Sequence, residues 1–143
     1  MGIQQISVFL ENRTGQLAEI TGLLAQNHVD LRAISIAETS DYGIVRLIVD
    51  NMDAATAILL NAGYIISVTP VQVISVPNQP GGLASVLAIL AENSFAIEYM
   101  YSLFTHRDGK AYMVFRVSEE ERFAALMKSH GIDVVDINVL GIQ

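Results

Sequence analysis

Cysteine is absent from the 143 residues, which excludes disulfides, thiolate metal sites and thiol catalysis together. Charge is scarce as well, at 16% of residues, and its balance of −7 is diffuse rather than blocked. No basic stripe is available for phosphate contacts, so neither nucleic acid nor an anionic membrane surface is expected as a partner. No apolar run approaches the length of a membrane span. The opening Met-Gly-Ile-Gln-Gln-Ile has neither the charged start and apolar run of a leader nor the hydroxyl residue that a myristoylation signal needs, so a cytoplasmic location is expected. What the chain has instead is apolar surface, 52% of its residues, which argues for a folded globular protein.

Catalytic signatures are missing too. The serines show no GxSxG elbow, and the glycine-containing turns have neither phosphate-loop nor dinucleotide spacing. His28, His106 and His130 sit in unlike places, after a helix, in a hairpin turn and on an apolar helix face, without the carboxylate pattern of a metal site. Glu119, Glu120 and Glu121 read as charges that complement a helix start. Tyr99, Met100 and Tyr101 read as core and sheet surface rather than a cofactor box. No nucleophile, base and oxyanion site assemble, so no enzyme activity, metal or cofactor is expected.

The informative stretch is ENRTGQLAEITGLLAQN, Glu11 to Asn27. Ile6, Val8 and Leu10 alternate with Gln5, Ser7 and Phe9, which is the period of a strand with two unlike faces. Leu17, Ile20, Leu23 and Leu24 then recur at helical spacing, with Thr14 as the expected N-cap. Such a junction offers the unpaired N–H groups of Gly15, Gln16 and Leu17, and the positive end of the helix dipole, to an anion. Asn12 adds an amide with both a donor and an acceptor.

PNQPGGLASVLAILAEN, Pro77 to Asn93, repeats that stretch at a constant offset: Asn12 matches Asn78, Gly15 matches Gly81, Leu17 matches Leu83, Leu24 matches Leu90 and Asn27 matches Asn93. Further on, at a slightly longer offset, Val49 matches Val117, Ala57 matches Ala125 and Gly63 matches Gly131. The chain is one unit written twice, and domains of roughly 70 residues each are expected over 1–69 and 70–143. Units so small should pack on each other or on another chain.

Each half reads strand, helix, two strands, helix, strand. In the first, VDLRAISIAE, a hairpin at Ser40, Asp41, Tyr42 and Gly43, the strand Ile44 to Val49, a helix closed by Gly63 and the strand Tyr64 to Val68 follow the first helix. In the second, the corresponding elements end on IDVVDINVL as a last strand. This is an α+β class chain, with two tandem ferredoxin-like βαββαβ domains whose antiparallel sheets carry helices on one face. The bare face is expected to show Phe9, Ile34, Ile36, Met100 and Phe104, and a second copy of the chain is expected to cover it.

N-R-T-G-Q-L-A-E-I at Asn12 to Ile20 and N-Q-P-G-G-L-A-S-V at Asn78 to Val86, each leading to L-L-A-Q-N or I-L-A-E-N, resemble a tandem pair of ACT domains, the amino-acid-binding regulatory modules attached to many enzymes of amino-acid metabolism. The resemblance covers essentially the whole chain. It implies two modules side by side, with amino acids bound where the loop of one meets the second strand of the other. Carried over, Asn12, Thr14, Gly15, Gln16 and Leu17 would face Ala96, Ile97 and Glu98, and Asn78, Gly81, Gly82 and Leu83 would face Asp30, Leu31 and Arg32. Loop N–H groups would take the α-carboxylate and Asp30 the α-ammonium. The two sites are unequal, because Asp30 is matched by Ala96 and Thr14 by Pro80.

The resemblance implies a free-standing regulatory protein that binds a small amino acid, forms a homodimer and acts on an enzyme of amino-acid metabolism. The alternative is a ligand-free structural or regulatory subunit that assembles with a partner enzyme.

Overall fold

The computed structural model describes residues 2–11, 13–38 and 42–142. They form six strands and four helices in two compact units, Gln4–Thr69 with Ile137–Gln143, and Pro70–Asp136 with Met1–Ile3.

In the first unit β1 (Ile3–Glu11) leads to α1 (Gln16–Gln26), then β2 (Leu31–Glu38), β3 (Tyr42–Val49), α2 (Met52–Asn61) and the start of β4 (Ile66–Pro77). The strand order is β2-β3-β1-β4, with antiparallel pairing that sets Val8 opposite Val45 and Ile6 opposite Leu47. Those four side chains point to one face, where Ile20 and Leu24 of α1 and Ala55 and Leu59 of α2 bury against them. Periodicity explains this: two apolar stripes at helical spacing need one apolar sheet face to cover. The side chain of Asn51 caps α2 by accepting the N–H of Ala54 at 3.1 Å.

The second unit takes up β4 and continues through α3 (Gly82–Glu92), β5 (Ile97–Arg107), β6 (Lys110–Val117) and α4 (Glu120–Ser129), in the strand order β4-β6-β5. Its core gathers Ile74, Val76, Val86, Leu90, Phe115, Val117, Phe123 and Met127. Asp108 and Gly109, with φ of 52 and 72, are both left-handed, so β5 and β6 are joined by the tight hairpin that Asp-Gly favours.

All four helices end alike, on an N–H that reaches back over a left-handed residue: Val29 to Leu24 (2.9 Å), Tyr64 to Leu59 (3.1 Å), Phe95 to Leu90 (2.9 Å) and Ile132 to Met127 (2.9 Å). Glycine takes the left-handed place in α2 and α4, at Gly63 and Gly131, whereas His28 and Ser94 take it in α1 and α3.

Three expectations change. The strands expected at Tyr64 to Val68 and from Val71 onward are a single strand, β4, whose bounds include Thr69 and Pro70. The last strand shrinks to one bridge, Val134 opposite Ile74, flanked by Ser75 N–H to Asp133 O at 3.0 Å and Val135 N–H to Val73 O at 2.8 Å. The chain then turns at Asn138, whose carbonyl accepts the N–H of left-handed Gly141, so asparagine and glycine end the ladder that the valines began.

The expected bare apolar face does not assemble either. Bulges between Leu31 and Ala33 and between Ile97 and Tyr99 slip the alternation by one residue. Ile34 therefore pairs with Leu47 and Met100 with Phe115, and both pack on their cores, while Ile36 pairs with Val45 on the same sheet face as Ile34 but stays exposed. Phe9, Ile36 and Phe104 remain exposed, but Ile36 is on the opposite side of its sheet from Phe9, so the five residues do not share one bare face. The hairpin expected at Ser40 to Gly43 lies partly outside the described residues; beside it Glu38 pairs with Gly43, and Tyr42 and Gly43 belong to β3. Among the described residues no helix is long and apolar enough to cross a membrane.

Candidate functional site

The site grows from the turn between β1 and α1. Arg13 N–H donates to Glu11 O at 2.6 Å and Gln16 N–H donates to Arg13 O at 3.4 Å, which bends the chain off the strand. Gly15 then adopts φ 84, ψ −2 and stands as the N-cap, without a side-chain cap. Thr14 was the expected N-cap; the left-handed glycine delays the helix by one residue, and a backbone with positive φ suits glycine rather than threonine. Glu19 N–H to Gly15 O at 3.0 Å is the first helical bond. Of the three N–H groups expected to be open, that of Gln16 is already engaged; those of Gly15 and Leu17 meet no partner among the described residues, and neither does that of Ala18 beside them. Asn12, expected beside them, lies outside the described residues.

These N–H groups open toward a cleft of about 350 Å³ bounded by Leu10, Glu11, Arg13, Leu17, Ile36 and Gly43. Across the same helical turn lies a second cleft, about 430 Å³, lined by Phe9, Arg13, Glu19, Tyr42, Tyr64 and Ile65. Gln16 contributes to both and is only 5% exposed, yet its Oε1 has no hydrogen-bond partner among the described residues. Leaving a shielded acceptor unpaired costs roughly 1–3 kcal/mol.

The Tyr64 hydroxyl donates to the Glu19 carboxylate. Burial, then that hydrogen bond and the Glu19 charge, push Tyr64 up from 10.0 to about 12, against an opposing effect of Arg13. The unfolded chain loses this proton near pH 10 while the folded chain keeps it, so from there to about pH 12 stability falls with rising pH, by on the order of 2 kcal/mol. Urea unfolding at pH 9 and pH 11 should therefore show a smaller loss for Tyr64→Phe than for the parent. Equal losses would assign the alkaline slope to other groups.

The second copy has the same backbone and different surroundings. Gly81 repeats the left-handed N-cap with φ 84, ψ −7, and Ser85 N–H donates to its carbonyl at 3.0 Å. Here Asn78 N–H is bound to Gly109 O at 2.8 Å, tying the turn to the β5–β6 hairpin, and Gly82 N–H donates to Gln79 O at 3.0 Å. A Cβ on Gly82 would lie 2.0 Å from Pro77 O, so strand end and helix start are closed onto each other where the first copy lodges the Gln16 side chain. Leu83 packs on the core.

The strand residues expected opposite these turns are largely occupied. Asp30 is ion-paired with Arg32, and its backbone N–H donates to Asp50 Oδ1 at 2.9 Å. Arg32 also donates from Nε to Leu140 O at 2.9 Å, holding the C-terminal segment of the same unit. Leu31 and Ile97 pack on their cores, Ala96 is exposed, and Glu98 lies 3.8 Å from Arg116. Sequence reasoning did not single out Glu11, Arg13, Glu19 or Tyr64, because their meeting depends on the corner between α2 and β4. Among the described residues no three acidic or histidine side chains gather as around a metal ion.

Comparison with known proteins agrees with this architecture. A crystal structure of protein BT0572 from Bacteroides thetaiotaomicron superimposes with a TM-score of 0.89 at 38% identity, covering 99% of this chain and 96% of that one. The ligand-free regulatory subunit of aspartate kinase from Thermus thermophilus matches with a TM-score of 0.66 at 15% identity, over 90% of this chain and 91% of that one. Its counterpart from Thermus flavus gives 0.58 at 17% identity, over 92% of each. At those identities the aspartate kinase subunits show likeness of fold alone. No curated protein sequence matches. The model of the ACT domain pair spans residues 1–141, and with two left-handed glycine turns opening two equivalent helices, the chain belongs to the ACT domain pair family.

Proposed function

We propose that this chain is a regulatory module that binds a small amino acid at the β1–α1 turn of its first unit and passes the change on to an enzyme of amino-acid metabolism. The observation that carries the reading is the pair of open N–H groups, Leu17 and Ala18, facing a cleft that also holds the Arg13 side chain. A carboxylate is the ligand group those donors suit, since the helix dipole, two N–H donors and a guanidinium all favour negative charge. Leu10 and Ile36 give the cleft an apolar wall for a short side chain. The solved regulatory subunits of aspartate kinase, similar in fold, support a regulatory rather than catalytic reading.

Thermal unfolding against each standard amino acid tests it. A ligand present at about a hundred times its dissociation constant adds about 2.7 kcal/mol, so one or a few related amino acids should raise the melting temperature by several degrees. Arg13→Ala should remove most of that rise. No rise with any amino acid would leave the alternative, a ligand-free subunit that assembles with its partner enzyme.

A further inference from the structure

The second cleft of the first unit has chemistry opposite to that of the turn. Its polar groups are the Glu11 and Glu19 carboxylates, the Gln16 amide, the Tyr64 hydroxyl and the Arg13 guanidinium. Tyr64 already spends its proton on Glu19, and Arg13 stands 4.0 Å from Glu11 with both side chains largely in solvent. What remains toward the cavity is an excess of acceptors. Gln16 Oε1 is among them, in a residue only 5% exposed, and this oxygen has no hydrogen-bond partner among the described residues. The walls are aromatic, from Phe9, Tyr42 and Tyr64, and ring faces attract cations.

The repeat supplies an internal control. The second unit has the equivalent cleft, about 340 Å³, at the same corner between a helix start and a helix end. Where the first copy has Glu11, Arg13, Gln16, Glu19 and Tyr64, the second has Pro77, Gln79, Gly82, Ser85 and Ile132. The scaffold persists and each of these charged groups is gone, His130 being the titratable side chain on that cleft, so these residues are not required by the fold.

We propose that this cleft of the first unit is a binding site for a primary ammonium ion carried on a compact apolar body. The ammonium donates to the Glu19 carboxylate and to Gln16 Oε1, while the body lies against Phe9, Tyr42 and Tyr64. Three N–H donors match the acceptors in number and sign. This cleft shares Arg13 and Gln16 with the carboxylate-binding turn, but Tyr64 and Ile65 line it alone and Leu17 and Ala18 line the turn alone, so those residues report which of the two is occupied.

The test is a titration of the full chain, followed by backbone amide resonances, with benzylammonium chloride, benzyl alcohol and sodium benzoate at constant ionic strength. These three probes share a body and differ in charge. Benzylammonium should give saturable shifts at Glu19, Tyr64 and Ile65, with Ser85 and Ile132 of the second unit unmoved. Benzyl alcohol should bind about tenfold more weakly and benzoate more weakly still, as expected for loss of a charge-assisted hydrogen bond. Glu19→Gln, on the exposed side of α1, should weaken benzylammonium by about tenfold or more, and Gln16→Met should weaken it while keeping the packing volume. Equal affinity for the alcohol, shifts centred on Ser85 and Ile132, no saturable shift, or indifference to Glu19→Gln would each overturn the proposal.

Discussion

Alanine at Gly82 is expected to cost more than about 3 kcal/mol and to leave the second unit largely unfolded, a large effect for the addition of one methyl group. The reason is space alone. The new Cβ would stand 2.0 Å from Pro77 O and 3.0 Å from Pro77 C, and both are backbone atoms. Neither side can retreat cheaply. Pro77 is paired with Lys110 on β6, its carbonyl accepts the N–H of Gln79, and Gln79 O in turn accepts the N–H of Gly82. Moving α3 away would pull Val86 and Leu90 out of the core.

Two neighbouring substitutions separate this effect from the general properties of glycine. Gly81→Ala meets no atom within 4 Å but holds φ 84, so it should cost about 1–2 kcal/mol through backbone strain. Gly22→Ala lies inside α1 with open space around it and should stabilise by about 0.5–1 kcal/mol. Urea denaturation of the three variants should rank them in that order. A Gly82→Ala protein as stable as Gly81→Ala would mean that strand end and helix start are not closed onto each other.

The parts of the architecture legible in the sequence were those written twice. Matching Gly15 with Gly81 and Gly63 with Gly131 located the helix boundaries, because a left-handed backbone leaves a residue type behind. Bulges leave no such mark. The alternation of β2 and β5 therefore predicted the wrong face for Ile34, Ile36 and Met100, where one inserted residue reverses every side chain after it. The last strand failed for a related reason: Val134 and Val135 look like a strand, but the turn through Asn138 and Gly141 that stops it is a matter of two residues. At the site, the turn was found and its occupancy was not. Whether Asp30 is available depends on Arg32, and whether Arg32 is available depends on a carbonyl at Leu140, far along the chain. Glu19 and Tyr64, likewise distant in sequence, become a pair only once α2 has delivered β4 beside α1.

Phe123→Ala is expected to cost about 3–5 kcal/mol, the range for emptying a buried aromatic site. Phe123 is fully buried, with its ring 5.7 Å from that of Phe115 and 5.9 Å, edge-on, from that of Phe95. Phe95 is in turn roofed by the Arg122 guanidinium at 4.3 Å, which also bonds Glu119 at 2.8 Å. Collapse into the gap is resisted on two sides, since Phe115 is fixed in β6 and Phe95 is fixed at the end of α3 by its N–H to Leu90 O. The matching position in the first unit is Ala55, also fully buried, so a βαββαβ frame of this kind closes around alanine when its neighbours are chosen for it. The cost in the second unit is thus a property of the surrounding side chains rather than of the frame. Chemical denaturation should recover much of the loss with Phe123→Leu, which refills most of the volume. A cost below about 1.5 kcal/mol for Phe123→Ala would show instead that Phe95 and Met127 can close over the space, and that the aromatic cluster is replaceable packing.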